Sequence, residues 1–189
     1  MISQRLRAIC DLSAGSAREY VGLHEYDGKI EDLSPDGVRA GLARLGGPPE
    51  PDAHDEAHLA TFERLARLEL GELELHRSNP LYHIGALDVS CYDREYAPAA
   101  ERAQARHRHL AVWPDAVDAA AQALDRVSAP VADALLPAAR GLVADLDPAD
   151  TDPVVQRARA AHRHLVELLE VAARNGNPTV ALEIGRAHV

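Results

Sequence analysis

Prolines punctuate this chain where apolar residues begin to recur every three to four positions, the spacing of one helical face. Pro35, Pro80, Pro98, Pro114, Pro130 and Pro153 each stand at the head of such a stripe. Proline has no N–H and a fixed φ, so it disrupts a helix interior or a strand ladder but fits the first helical turn. Ser34, Asn79 and Asp152 precede three of these prolines and are N-cap residue types. No segment alternates apolar and polar residues with period two. The pattern predicts an all-α fold, a multi-helix bundle-like lobe of antiparallel neighbours joined by short connections. The chain is 47% hydrophobic but only 4% aromatic, so Ala, Leu and Val must fill the core, which suits closely approaching helices.

The stripes predict individual elements. Leu6, Ile9 and Leu12 mark a helix over about Ser3 to Tyr20, bent near Gly15. Pro35 opens a helix ending at Gly46-Gly47, and Gly46 to Asp52 reads as an exposed linker within a single lobe spanning residues 1–182. A long helix is expected over Ala53 to Arg77, with Leu59, Phe62, Leu65 and Leu73 in register. Pro80 opens a helix carrying Leu81, Ile84, Leu87 and Cys91. Pro98 opens another as far as Trp113, Pro114 a further one with Val117, Ala121 and Leu124, and Pro130 the next. The last strong stripe follows Asp152-Pro153 and stops at Asn175-Gly176.

The net charge is −10 and Lys29 is the only lysine, which disfavours a nucleic-acid backbone as partner. No apolar run reaches the length that spans a bilayer and no signal-peptide pattern opens the chain, so the expected compartment is the cytoplasm, without a membrane role. Cys10 and Cys91 are read as buried free thiols.

Candidate chemistry is sparse. His54-Asp-Glu-Ala-His58 has the His spacing of a zinc helix, but Asp55 stands where HExxH has its Glu. It reads as a helix start with first-turn acids. His107 and His109, like His162 and His164, are two residues apart and point about 200° from one another on a helix, so neither pair chelates one ion. No residue is assigned a catalytic or metal-binding role. Tyr82, His83 and Tyr92 are the residues expected to face a substrate cleft. His24 and Asp27 are expected to fix their own loop by hydrogen bonds.

Gly22-Leu-His-Glu-Tyr-Asp-Gly28 with Asp32-Leu-Ser-Pro35, Asn79-Pro-Leu-Tyr82, Tyr96-Ala-Pro-Ala-Ala-Glu-Arg102, His109-Leu110 and Trp113-Pro114 together resemble the N-terminal part of the bacterial family called domain of unknown function 885. That resemblance covers nearly the whole chain to about Asn177. It implies a longer, mostly helical parent similar to zinc metallopeptidases, in which a HExxH helix and a later Glu hold zinc. This sequence has no HExxH, so no zinc ligand is carried onto it. The resemblance implies an N-terminal scaffold and substrate-cleft lobe, inactive alone, whose partners are the C-terminal catalytic half and a peptide or small-molecule substrate. The rival reading is a self-contained helical protein-binding or adaptor module. A third is a small metal-binding bundle built on His54 and His58.

The closing residues Ile184-Gly-Arg-Ala-His-Val189 back-translate to ATCGGAAGAGCACACGTC, a string of common short-read sequencing adapter. Residues 183–189 are therefore expected to be a non-native tail, with the authentic protein continuing past Leu182.

Overall fold

A computed structural model describes residues 2–144 and 146–179, and the expected non-native tail lies outside the described residues. These residues form helices, with no named strand among them. Helix α1 (Gln4–Leu12) starts at Ser3, whose hydroxyl accepts from Leu6 N at 3.2 Å. The expected bend falls at Ser13, two residues before Gly15, where φ −150° and ψ 63° interrupt the helix ahead of α2 (Ala14–Glu19). A 3-10 turn over His24–Tyr26 leads to α3 (Pro35–Ala43), which Ser34 caps by accepting from Gly37 N.

The segment from Gly46 to Asp52 is largely exposed, as expected, but it is strapped down. Gly46 N donates to Glu63, Glu50 N donates to Glu56, and Pro48 O accepts from Arg5. Arg5 is itself buried and makes a bidentate pair with Glu63, both contacts at 2.9 Å. Two guanidinium bonds to one carboxylate fix orientation as well as charge, locking α1 onto α4.

The long helix expected from Ala53 to Arg77 is divided. Helix α4 (Ala53–Ala66), capped by Asp52, passes into a π-helical stretch, Arg67–Glu72. Glu74 then takes a left-handed φ of 47°, and α5 (Leu75–Ser78) follows. The wider π turn shifts the side-chain phase, so Leu70 enters the core while Glu69 is left half-buried. A left-handed non-glycine residue stops the helix because its backbone cannot continue the hydrogen-bond ladder.

Helix α6 (Leu81–Leu87) follows Pro80 and is shorter than expected: Cys91 lies in a separate 3-10 turn, Ser90–Asp93. Helix α7 (Ala99–Ala123) corrects another expectation, since Pro114 lies inside it and opens no new helix. Trp113, Leu110 and Val117 on both sides of the proline are buried in one core. That burial offsets the one backbone bond proline cannot make. Helices α8 (Ala129–Gly141) and α9 (Pro153–Asn175) start at their prolines as expected.

Helix α9 packs against both α7 and α8. His162 reaches Ala139, and Arg159 reaches Leu146, so α8 runs antiparallel to α9. His107 meets Asp152 near one end, and Leu124 and Leu168 share a groove near the other, so α7 and α9 run parallel. The expectation of antiparallel neighbours holds for α8 and α9, which follow one another in the chain, and α9 lies parallel to α7 because α8 returns the chain between them. The main core joins α6, α7 and α9 around Trp113, Leu110, Leu87 and Leu165. A second core, with Leu12, Leu33, Val38, Leu70 and Ala86, joins α1, α3, the π turn and α6.

Candidate functional site

The loop His24–Gly28 is assembled by residues distant in sequence. Gly28 has φ +79°, which only glycine adopts freely, and its N–H donates to Tyr92 Oη at 2.8 Å. Tyr92 Oη lies 3.0 Å from His109 Nδ1, and His109 Nε2 lies 2.9 Å from Ala86 O. A carbonyl can only accept, so Nε2 carries the imidazole proton and Nδ1 is the acceptor. The relay therefore has one direction: Gly28 N–H to Tyr92, Tyr92 O–H to His109, His109 Nε2–H to Ala86.

The other motif residues close around this relay. Tyr96 Oη donates to Asp27 at 3.1 Å, and the His24 ring stacks on Tyr96 with centroids 5.0 Å apart. His24 Nδ1 is 3.6 Å from Asp27, beyond hydrogen-bond reach, so of the two residues expected to fix their loop by hydrogen bonds Asp27 makes one through its side chain, to Tyr96, while His24 contributes its ring stack. The buried Arg18 guanidinium lies over the Tyr92 ring and donates to Lys29 O. Tyr26 donates to Asp11 at 2.7 Å. Burial lowers His109 to about 4, and the nearby Arg18 cation acts in the same direction. Burial also pushes Tyr92 up to about 12. The unit is a closed clamp: His109 is 0% exposed and Tyr92 only 2%, so neither offers a surface to a substrate.

Buried histidines recur at helix ends. His83 Nε2 lies 2.8 Å from His76 O, and His162 Nε2 lies 2.9 Å from Ala139 O. With His109 on Ala86, each of these histidines donates to a carbonyl in the last turn of the preceding helix; the Ala139 carbonyl also accepts from Leu142 N. Of the three residues expected to face a cleft, His83 and Tyr92 are thus corrected to interior bonding roles. Helix-end carbonyls draw the two histidine-bonded groups inward, His83 directly and Tyr92 through His109.

Tyr82 does line a groove. Between α1, α2 and α4 the structure leaves an apolar trough with a volume of about 440 Å³, walled by Leu6, Ile9, Phe62 and Leu65 and reaching Tyr20. Tyr20, Phe62 and Leu65 are 86%, 53% and 44% exposed. Tyr82 Oη donates to Glu69 at 3.0 Å in this trough. Desolvation and the Glu69 carboxylate raise Tyr82, which keeps the phenol protonated as donor. Glu69 is the one charged residue lining the trough and makes no ion pair among the described residues. Phe62 and Leu65 share the helical register of Leu59 in the sequence. The buried side of α4 instead carries Leu59 and Glu63, because Arg5 draws Glu63 inward. The pairing of buried Arg5 with Glu63 carries no sequence signal at a separation of 58 residues.

His54 and His58 are exposed on the first turns of α4, their ring centroids 4.4 Å apart. No group of three or more His, Cys, Asp or Glu suited to a metal ion occurs among the described residues. Cys10 and Cys91 are free and buried, and burial raises both thiols, away from reactivity. No helix among the described residues is long and apolar enough to cross a membrane. Compared with protein-family models, curated proteins and solved structures, the chain gives no match.

Proposed function

We propose that this chain is a non-catalytic helical lobe whose exposed trough forms part of a substrate cleft, the N-terminal scaffold of a zinc-dependent hydrolase of the domain of unknown function 885 type. The observation that carries the reading is the uncovered trough of about 440 Å³ with Tyr82 and Glu69 in it. Its volume lies within the range of small-molecule sites. Residues that carry the family resemblance also converge: Gly28 and His109 are joined through Tyr92, Tyr96 bonds Asp27, and the His24 ring stacks on Tyr96. In this reading the clamp is scaffold, the catalytic half is the partner, zinc belongs to that half, and the cytoplasm is the compartment.

The test is a long read of the source gene through the codons for residues 180–189. An open frame continuing into HExxH and a later Glu is expected. A stop codon directly after Val189 in genomic DNA overturns the reading and leaves the self-contained binding module. That alternative draws support from the closed core around Trp113, which is 0% exposed.

A further inference from the structure

An apolar trough that holds a single carboxylate discriminates among ligands by charge. Leu6, Ile9, Phe62 and Leu65 offer an apolar body its contacts. Glu69 offers the only formal charge, and Tyr82 occupies one of its oxygens with a 3.0 Å bond, leaving the other for a donor from the ligand. The carboxylate is presented by the π-helical stretch Arg67–Glu72, and the left-handed Glu74 follows after Leu73. Such helix irregularities concentrate at ligand sites, because a regular helix would carry the side chain to another face. One carboxylate among apolar walls is a poor site for a divalent ion, which needs several oxygen ligands. It matches one monovalent donor head.

We propose that the trough binds a small molecule with an apolar body and a terminal primary ammonium, the ammonium on Glu69 and the body against Phe62 and Leu65. The proposal rests on reading the trough as ligand-facing, and so names the ligand class of the proposed cleft. The gene read described above concerns parentage alone, so either can fail while the other stands.

The test is calorimetric titration of the full chain with 4-phenylbutylammonium, with 4-phenylbutanol and 4-phenylbutanoate as neutral and anionic counterparts. The ammonium should saturate one site and bind about tenfold more tightly than the alcohol, the scale of a hydrogen bond to a charged group. The butanoate should bind most weakly. Glu69→Gln keeps an acceptor for Tyr82 but removes the charge, and should erase the preference for ammonium while leaving alcohol binding unchanged. Phe62→Ala should weaken ammonium and alcohol alike. If Glu69→Gln fails to fold, salt titration of the unaltered chain replaces it: added salt should weaken the ammonium and leave the alcohol unchanged. Equal affinities for ammonium and alcohol, a preference that survives Glu69→Gln, or no salt dependence would each overturn the assignment. So would saturable binding of an apolar lysine-containing peptide with no saturable binding of the small amine.

Discussion

His109 should make stability depend on pH in a way that one substitution can isolate. In the folded chain it accepts from Tyr92 and donates to Ala86, and burial holds it at about 4, against 6.5 for a free imidazole. As pH falls the unfolded chain therefore binds the proton first. The His109 contribution is complete above about pH 6.5. It is progressively lost towards the folded-state value of about 4. At about 1.36 kcal/mol per pH unit the full loss is about 3 kcal/mol, of which about 2.5 kcal/mol is gone by about pH 4.5. His109→Gln retains one donor and one acceptor but does not titrate. It should cost about 2 kcal/mol at neutral pH, through lost ring packing and poorer hydrogen bonds. Urea unfolding of both proteins at about pH 7.5, 5.5 and 4.5 then gives two profiles that converge on acidification. Other groups, among them His83, His162 and Glu63, are common to both and cancel in the difference. Parallel profiles would refute the directed relay, since they would mean that His109 takes up its proton equally in both states.

Gly28→Ala should destabilise the chain by about 2 kcal/mol in chemical denaturation, from the left-handed backbone and a clash with α7. The added Cβ would stand 2.7 Å from Arg108 Cβ and 3.1 Å from Ala105 O. Arg5→Met should lower the melting temperature because Glu63 then stays buried without its cation, and adding Glu63→Leu should recover part of the loss; a double-mutant cycle without coupling would contradict the pairing. Phe62 is 53% exposed, so Phe62→Ser should change stability by less than about 0.5 kcal/mol.

Helix starts were legible because their signals are local. Ser34-Pro35 and Asp152-Pro153 combine a side-chain acceptor with a residue that needs no N–H, and both cap as read. The all-α class was legible for the same reason, since the period of the apolar residues is a property of neighbours in sequence. Pro114 misled because a proline signal has two outcomes, and burial of Trp113 and Val117 selected the continuous helix.

The candidate site was only partly legible. Tyr82 stood out with Tyr92 and Tyr96 as tyrosines close together in sequence, but Glu69 was hidden in an ordinary-looking stripe until the π turn changed its phase. His83 and His109 look alike in sequence to exposed histidines such as His107 and His164. Their burial depends on which helix-end carbonyl lies opposite, a fact about packing. By itself the sequence determined that this chain is helical, where most helices begin, and that His24–Gly28 forms a turn, because capping, φ restriction and periodicity act over a few residues. The tertiary structure alone decided that α9 runs parallel to α7, that Arg5 and Glu63 turn inward, and that Phe62 and Leu65 remain outside around Glu69. Those outcomes follow from competition among distant surfaces for burial, and no local propensity records that competition.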